Sequence, residues 1–241
     1  MKKLIIVLSL AFMLVLTAFQ NQPGIGTNQY RVKTVTNLIA GKTTEYDYTN
    51  SKTISVVKSP NGTIGYQYFK GFIVKTYRDS SSHKSIVDTF FLNNMGQAAT
   101  TRPAKEREDI YNRFDYDTNG FRKEERMYHN GNVVETTRWF VVDGNEKMST
   151  TVFDESDLNS TVYYTYYADK LNTIGNENTG MKFSGQSSKN LIKELIRVTA
   201  KGDTVARVTY RYHFDSKDRV QQKIEYGKSG ALQDSLAYAY Y

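Results

Sequence analysis

The side chains best suited to chemistry are thinly spread in this chain. Its three histidines, His83, His129 and His213, are far apart, and none belongs to an H-E-x-x-H or other close ligand pair. No metal site is expected from them. Asp115 and Asp117 in "RFDYDTNG" are two residues apart, which puts both carboxylates on one strand face. Glycosidases hold their acid pair on either side of a sugar, so these two read as a solvated face. Glu124 and Glu125 sit beside Lys123 and Arg126 as surface charge pairs. Ser187 and Ser188 fall in a Gly/Asn/Ser-rich loop, without a G-x-S-x-G elbow, and the chain has no phosphate-binding glycine loop. No catalytic residue, metal ligand or cofactor is assigned, and the chain reads as non-enzymatic.

Aromatic side chains offer binding chemistry instead. The sequence holds nineteen tyrosines, twelve phenylalanines and one tryptophan, so rings must line either a core or a ligand surface. In "STVYYTYYA", Tyr163 and Tyr167 share one strand face while Tyr164 and Tyr166 share the other. In "TTRWFVV", Trp139 falls with Val141, and Phe140 with Val142. One face of each segment enters the core. The other is either buried as well or forms a platform on which a sugar or peptide stacks. Trp139, Tyr163, Tyr164, Tyr166 and Tyr167 are therefore the binding candidates.

The elements that must position these rings are strands. Turn signals such as Asn61-Gly62, Asn130-Gly131 and Asp143-Gly144 recur between short aromatic and β-branched runs. Aromatic pairs two residues apart recur as Tyr46/Tyr48, Tyr66/Tyr68, Phe114/Tyr116, Tyr164/Tyr166, Tyr210/Tyr212 and Tyr238/Tyr240. "RFDYDTNGFRKEERMY" and "RYHFDSKDRVQQKIEY" repeat one hairpin unit, with Asp117 and Asp215 starting the turns through side-chain-to-backbone bonds. The fold class is all-β: a large antiparallel β-meander curled into a barrel or half-barrel. Two segments depart from the pattern. Ala98–Glu108 reads as a loop, and Gly175–Lys189 as the longest, flexible loop. "NLIKELIRV" after it suits a strand better than a helix. "SLAYAYY" at the end should pair with Arg219–Tyr226 and turn Leu236, Tyr238 and Tyr240 inward.

Two lysines followed by the apolar run Leu4–Leu16 read as a secretory leader covering residues 1–22, ahead of a single β-domain at 23–241. Export to the periplasm, outer-membrane surface or cell exterior follows. With no cysteine, neither a disulfide nor a lipid anchor can form. The formal charge of +7 falls by two without Lys2 and Lys3, and both signs are interspersed, which argues against a nucleic-acid partner. In "FRKEERMYH", strict alternation puts Arg122, Glu124 and Arg126 on one face and Lys123 and Glu125 on the other. Neither face of that hairpin could meet lipid.

"MKFSGQSSKNL", Met181–Leu191, followed by a strand and "VTYRYHFDSKDRV", resembles the C-terminal signature of a secreted Bacteroidota family, a domain of unknown function with a porin-like fold. Asp218 stands where that signature carries Gly, while Arg219 and Val220 match. The resemblance implies a β-rich envelope protein and supplies no activity. The function expected is a binding or structural module for glycan, peptide or an envelope protein. The alternative is a barrel that carries a lipid or other apolar ligand, or that associates with the outer membrane.

Overall fold

The computed structural model describes residues 31–102, 109–154 and 158–241. The expected leader and the segment from Pro103 to Glu108 lie outside them. Sixteen strands follow in chain order: β1 (Val32–Asn37), β2 (Lys42–Tyr48), β3 (Ile54–Ser59), β4 (Gly62–Phe69), β5 (Phe72–Asp79), β6 (Ser85–Leu92), β7 (Ala98–Arg102) and β8 (Ile110–Tyr116). Then come β9 (Arg122–His129), β10 (Asn132–Val142), β11 (Asn145–Phe153), β12 (Ser160–Leu171), β13 (Asn190–Thr199), β14 (Thr204–Phe214), β15 (Val220–Tyr226) and β16 (Leu232–Tyr240). Each pairs antiparallel with its chain neighbours, and β16 returns to β1, so the sheet is a closed barrel. "NLIKELIRV" is a strand, as expected. Ala98–Arg102, expected as loop, is a strand too: its two apolar and two β-branched residues fit a slot beside β6.

Closure runs through the last strand. Tyr238 faces Val35, and Leu236 faces both Asn37 of β1 and Lys223 of β15. An even strand number brings the two termini of the described chain to one end, where the Tyr241 N–H donates to the Arg31 carbonyl at 3.1 Å. Directly paired residues point to the same side of a sheet. Tyr46, Val57, Ile64, Tyr77 and Ile86 therefore share one face across β2–β6. That face is the interior: Ile54, Val57, Ile73, Ala98 and Phe114 are buried there, with Tyr46, Tyr48, Tyr66, Tyr68 and Tyr116 packed around them.

The recurring tyrosines do more than fill space. Near the end that holds the termini, the ladder stops early in several strand pairs, leaving backbone carbonyls open. A tyrosine hydroxyl from the following strand donates to each. Tyr48 reaches the Val32 carbonyl at 2.6 Å, Tyr68 that of Ile54 at 2.8 Å and Tyr116 that of Ala98 at 2.9 Å. Tyr212 reaches Ile192 at 3.0 Å, and Tyr240 reaches Val220 at 2.7 Å. Phenylalanine would fill the same volume and leave a buried acceptor unpaired, at a cost of about 1–3 kcal/mol.

Turn chemistry is equally local. Asp117 Oδ1 accepts the N–H groups of Asn119 and Phe121, both at 2.9 Å. Asp215 Oδ1 accepts those of Lys217 and Arg219, at 2.9 and 3.0 Å. Asp117 thus lies beyond β8 and does not share a strand face with Asp115, which points outward to Arg126.

The outer wall mixes apolar and charged groups. Phe69 stacks on Phe72 with ring centroids 4.7 Å apart, and Phe140 is 58% exposed. Asp47 pairs with Lys58 at 2.8 Å, Glu194 with Arg207 at 2.6 Å, and Glu124 with both Arg126 and Arg138. A membrane-spanning barrel presents an apolar outer band. These ion pairs interrupt any such band on β2–β3, β9–β10 and β13–β14. Among the described residues no helix is long and apolar enough to cross a membrane, which leaves strands as the relevant test.

Candidate functional site

The connection between β12 and β13, expected to be a flexible loop, is tied to the barrel by hydrogen bonds along its length. Residues 172–189 fold over the barrel end that carries the termini and bond to strand ends around its rim. The Asn178 carbonyl accepts Val32 N–H at 3.2 Å, and the Gly180 carbonyl accepts Ile54 N–H at 3.3 Å. Gln186 N–H donates to the Gly120 carbonyl at 2.9 Å, and Lys189 N–H to that of Gly144 at 2.8 Å. Thr173 Oγ1 accepts the Val220 N–H at 3.0 Å. Phe183 points down into the barrel, 5.4 Å from the ring of Phe90 and 5.9 Å from that of Tyr66.

The glycines of this cap serve close approach. Gly180 has φ +74°, and a Cβ there would lie 2.6 Å from the Ile54 nitrogen. Gly185 has φ +92°, with Tyr116 Cε1 2.7 Å from where its Cβ would be. Its polar residues bond to one another: Asn176 N–H donates to Ser187 Oγ at 2.8 Å, and Ser187 N–H to Glu177 Oε1 at 3.1 Å. Composition that marks a flexible loop also suits a plug that touches backbone on every side.

Beneath the cap lies a cavity of about 540 Å³, within the usual range for small-ligand sites. Its aromatic wall comes from Phe121, Trp139, Tyr166, Tyr210 and Tyr212, and its charged groups are Arg122, Glu146 and Lys223. Arg122 donates to Glu125 Oε2 at 2.8 Å and to the Ser184 carbonyl at 3.2 Å. Its guanidinium lies 4.6 Å from the ring centre of Phe114 and 5.6 Å from that of Trp139. Lys223 pairs with Glu225 at 2.7 Å and sits over Tyr210 at 5.3 Å. Burial pushes the Glu146 carboxyl up to about 7, against the opposing pull of Tyr164, Ser149 and Arg122. Its Oε1 has no hydrogen-bond partner, nor has Arg122 Nε. The site thus offers flat apolar faces next to spare polar atoms of both signs.

Arg122 is where strict alternation fails. It pairs with Tyr116 while Glu124 pairs with Asp115, so the register shifts by one residue at Lys123. Arg122 and Glu125 consequently point inward together, and Glu124 and Arg126 outward.

The five candidates divide four ways. Trp139 and Tyr166 line the cavity, and the Tyr166 hydroxyl lies 2.9 Å from Ser188 Oγ. Tyr164 is on the same inner face, with its hydroxyl 3.2 Å from Ser149 Oγ. Tyr163 is on the outer wall, 48% exposed, and Tyr167 spans a gap between β13 and β14, where its hydroxyl donates to the Tyr210 carbonyl at 2.8 Å. No single platform unites the five. Arg122, Glu146, Lys223, Tyr210 and Tyr212 also line the cavity and are not among the candidates from the sequence. The available signal was a charge in the register of the aromatic face, as where Lys223 pairs with Tyr212.

A closed antiparallel barrel with an internal cap over an aromatic, charged cavity is the class that fold and site define. Among solved structures the chain is similar to a porin-like protein from Bacteroides uniformis, with TM-score 0.68 and 15% identity over 89% of this chain and 98% of that one. It is also similar to a porin-like protein from Bacteroides vulgatus, with TM-score 0.61 and 16% identity over 88% and 99%. At this identity the likeness establishes the fold. No family model matches the sequence, and no curated protein matches it.

Proposed function

We propose that the protein is a non-enzymatic barrel of the cell envelope that holds a small glycan unit in the capped cavity. The observation that carries this reading is the cavity wall, where Trp139, Tyr166 and Tyr210 alternate with Arg122, Glu146 and Lys223. Sugar rings stack on aromatic faces while their hydroxyls take charged and polar partners. A lipid chain would offer no hydrogen bond to Glu146 Oε1 or Arg122 Nε, which lack partners, and burying them so is costly. The apolar run at Leu4–Leu16 and the porin-like neighbours support an envelope location. The outer ion pairs support a barrel that stands in water beside a membrane or partner.

The test is a glycan array on the purified mature protein, followed by titration of the best hit. Trp139→Ala and Lys223→Met should each weaken binding at least tenfold, while Tyr163→Ala on the outer wall leaves it unchanged. Melting curves guard against lost folding, since truncating a core aromatic costs about 3–5 kcal/mol. Recovery of a co-purifying lipid, with no glycan bound, would replace this reading with the carrier alternative.

A further inference from the structure

The barrel wall contains a second recess that faces outward. The ladder between β13 and β14 ends at Glu194 and Thr209, so Tyr210–Phe214 has no strand partner on that side. On β12, Tyr166 pairs with Ile192 and Leu171 with Asn190. Four residues of β12 therefore oppose one of β13, and they arch outward. Tyr167 and Lys170 of this arch reach over to β14, leaving a slot of about 420 Å³. Its walls are flat: Tyr167, Phe214 and Tyr226 present rings. Its charge is positive. Arg211 lies 5.2 Å from the Tyr226 ring centre, Lys170 lies 5.0 Å from that of Phe214, and His213 stands between them on β14.

Among the described residues neither Arg211 nor His213 has a carboxylate within ion-pair distance, whereas Lys170 has Asp169 at 3.7 Å. The surplus is thus close to one positive charge. We propose that this slot binds a carboxylate borne on a flat or near-flat ring, an aryl acid or a sugar acid, with Arg211 as the anchoring group. A guanidinium matches the two oxygens of a carboxylate, and the flanking rings take the ligand's faces. A phosphate dianion would exceed the available charge. Tyr212 lines both this slot and the lumenal cavity, but the proposal does not rest on the lumenal reading.

The test titrates the full mature chain with benzoate and D-glucuronate, with benzamide and D-glucose as neutral counterparts and inorganic phosphate as a third anion. At least one acid should saturate, and at least tenfold more tightly than its neutral counterpart. Which acid does so identifies the ring. Arg211→Gln should weaken it at least tenfold, Arg211→Lys less because the fork is lost, and Trp139→Ala not at all. No saturation by either acid, tighter binding of phosphate, or an unchanged affinity in Arg211→Gln overturns the proposal. Loss of binding in Trp139→Ala with Arg211→Gln unaffected also overturns it and would move the acid into the lumen.

Discussion

The hairpins β8–β9 and β14–β15 are two versions of one sequence unit, and they differ in an instructive way. In both, an aspartate carboxylate gathers two N–H groups to make the turn. In both, the register then shifts by one residue in the second strand, and a tyrosine hydroxyl caps a carbonyl on the preceding strand. Turn, register and inward face are therefore copied. The lumenal chemistry is not. Arg122 of the first copy corresponds to Val220 of the second, and Glu125 corresponds to Lys223. Arg122 looks into the cavity with Glu125 as its partner, whereas Val220 is fully buried beneath the cap. A short repeat fixes geometry through bonds within itself; the charge of an inward position is decided by what the cap and distant strands bring near it.

Making the copies alike should have unequal costs. Val220→Arg, which places the first copy's residue in the second, buries a guanidinium without its carboxylate. A loss of about 3–5 kcal/mol is expected by urea denaturation, and a variant as stable as the parent would mean the cap moves aside freely. The next effect reads the charge balance around Arg122. The Glu146 carboxyl is raised above its ordinary value to about 7, so the folded chain binds its proton more tightly than the unfolded chain. Its contribution is fully present below the ordinary carboxylate value and is lost as pH rises through about 7. Glu146→Gln should match the parent near pH 4 and be more stable by up to about 3 kcal/mol at pH 8. Parallel stability–pH curves would contradict this.

The smallest effect is a reciprocal exchange at the turns. Gly120 and Asp218 hold the same position, with φ +87° and +55°. Asp218→Gly relieves a left-handed side chain and should stabilise by about 1 kcal/mol. Gly120→Asp should cost more than that gain, because its Cβ would meet Gln97 Nε2 at 2.8 Å. Equal and opposite shifts in melting temperature would mean that backbone strain alone separates the two turns.

The sequence made some of this legible and hid the rest for physical reasons. Alternation is a signal of period two carried by neighbouring residues, so the inward tyrosines, the aspartate turns and the pairing of "SLAYAYY" with Arg219–Tyr226 could be read directly. A bulge adds one residue without changing composition, and the inward turn of Arg122 left no mark for that reason. The cap was misread because glycine and asparagine serve both a flexible loop and a segment pressed against backbone. The cavity depends on strands far apart in sequence: Glu146 and Lys223 belong to β11 and β15 and line one cavity because the sheet curls.

That closure also dictates an order of events. The pairing of Val32 with Tyr240 joins the two ends of the described chain, so the ring cannot be sealed while the last strand is still being delivered. Until then β1 presents an unpaired edge, the kind of strand most prone to pair with another molecule. Contacts between residues so distant in sequence form slowly, because a very long loop must first be closed. The local hairpins are able to form early, each from its own turn, whereas the ring and its cap come last and together. The interval before the ring is sealed is when the chain most needs to be kept from its own copies.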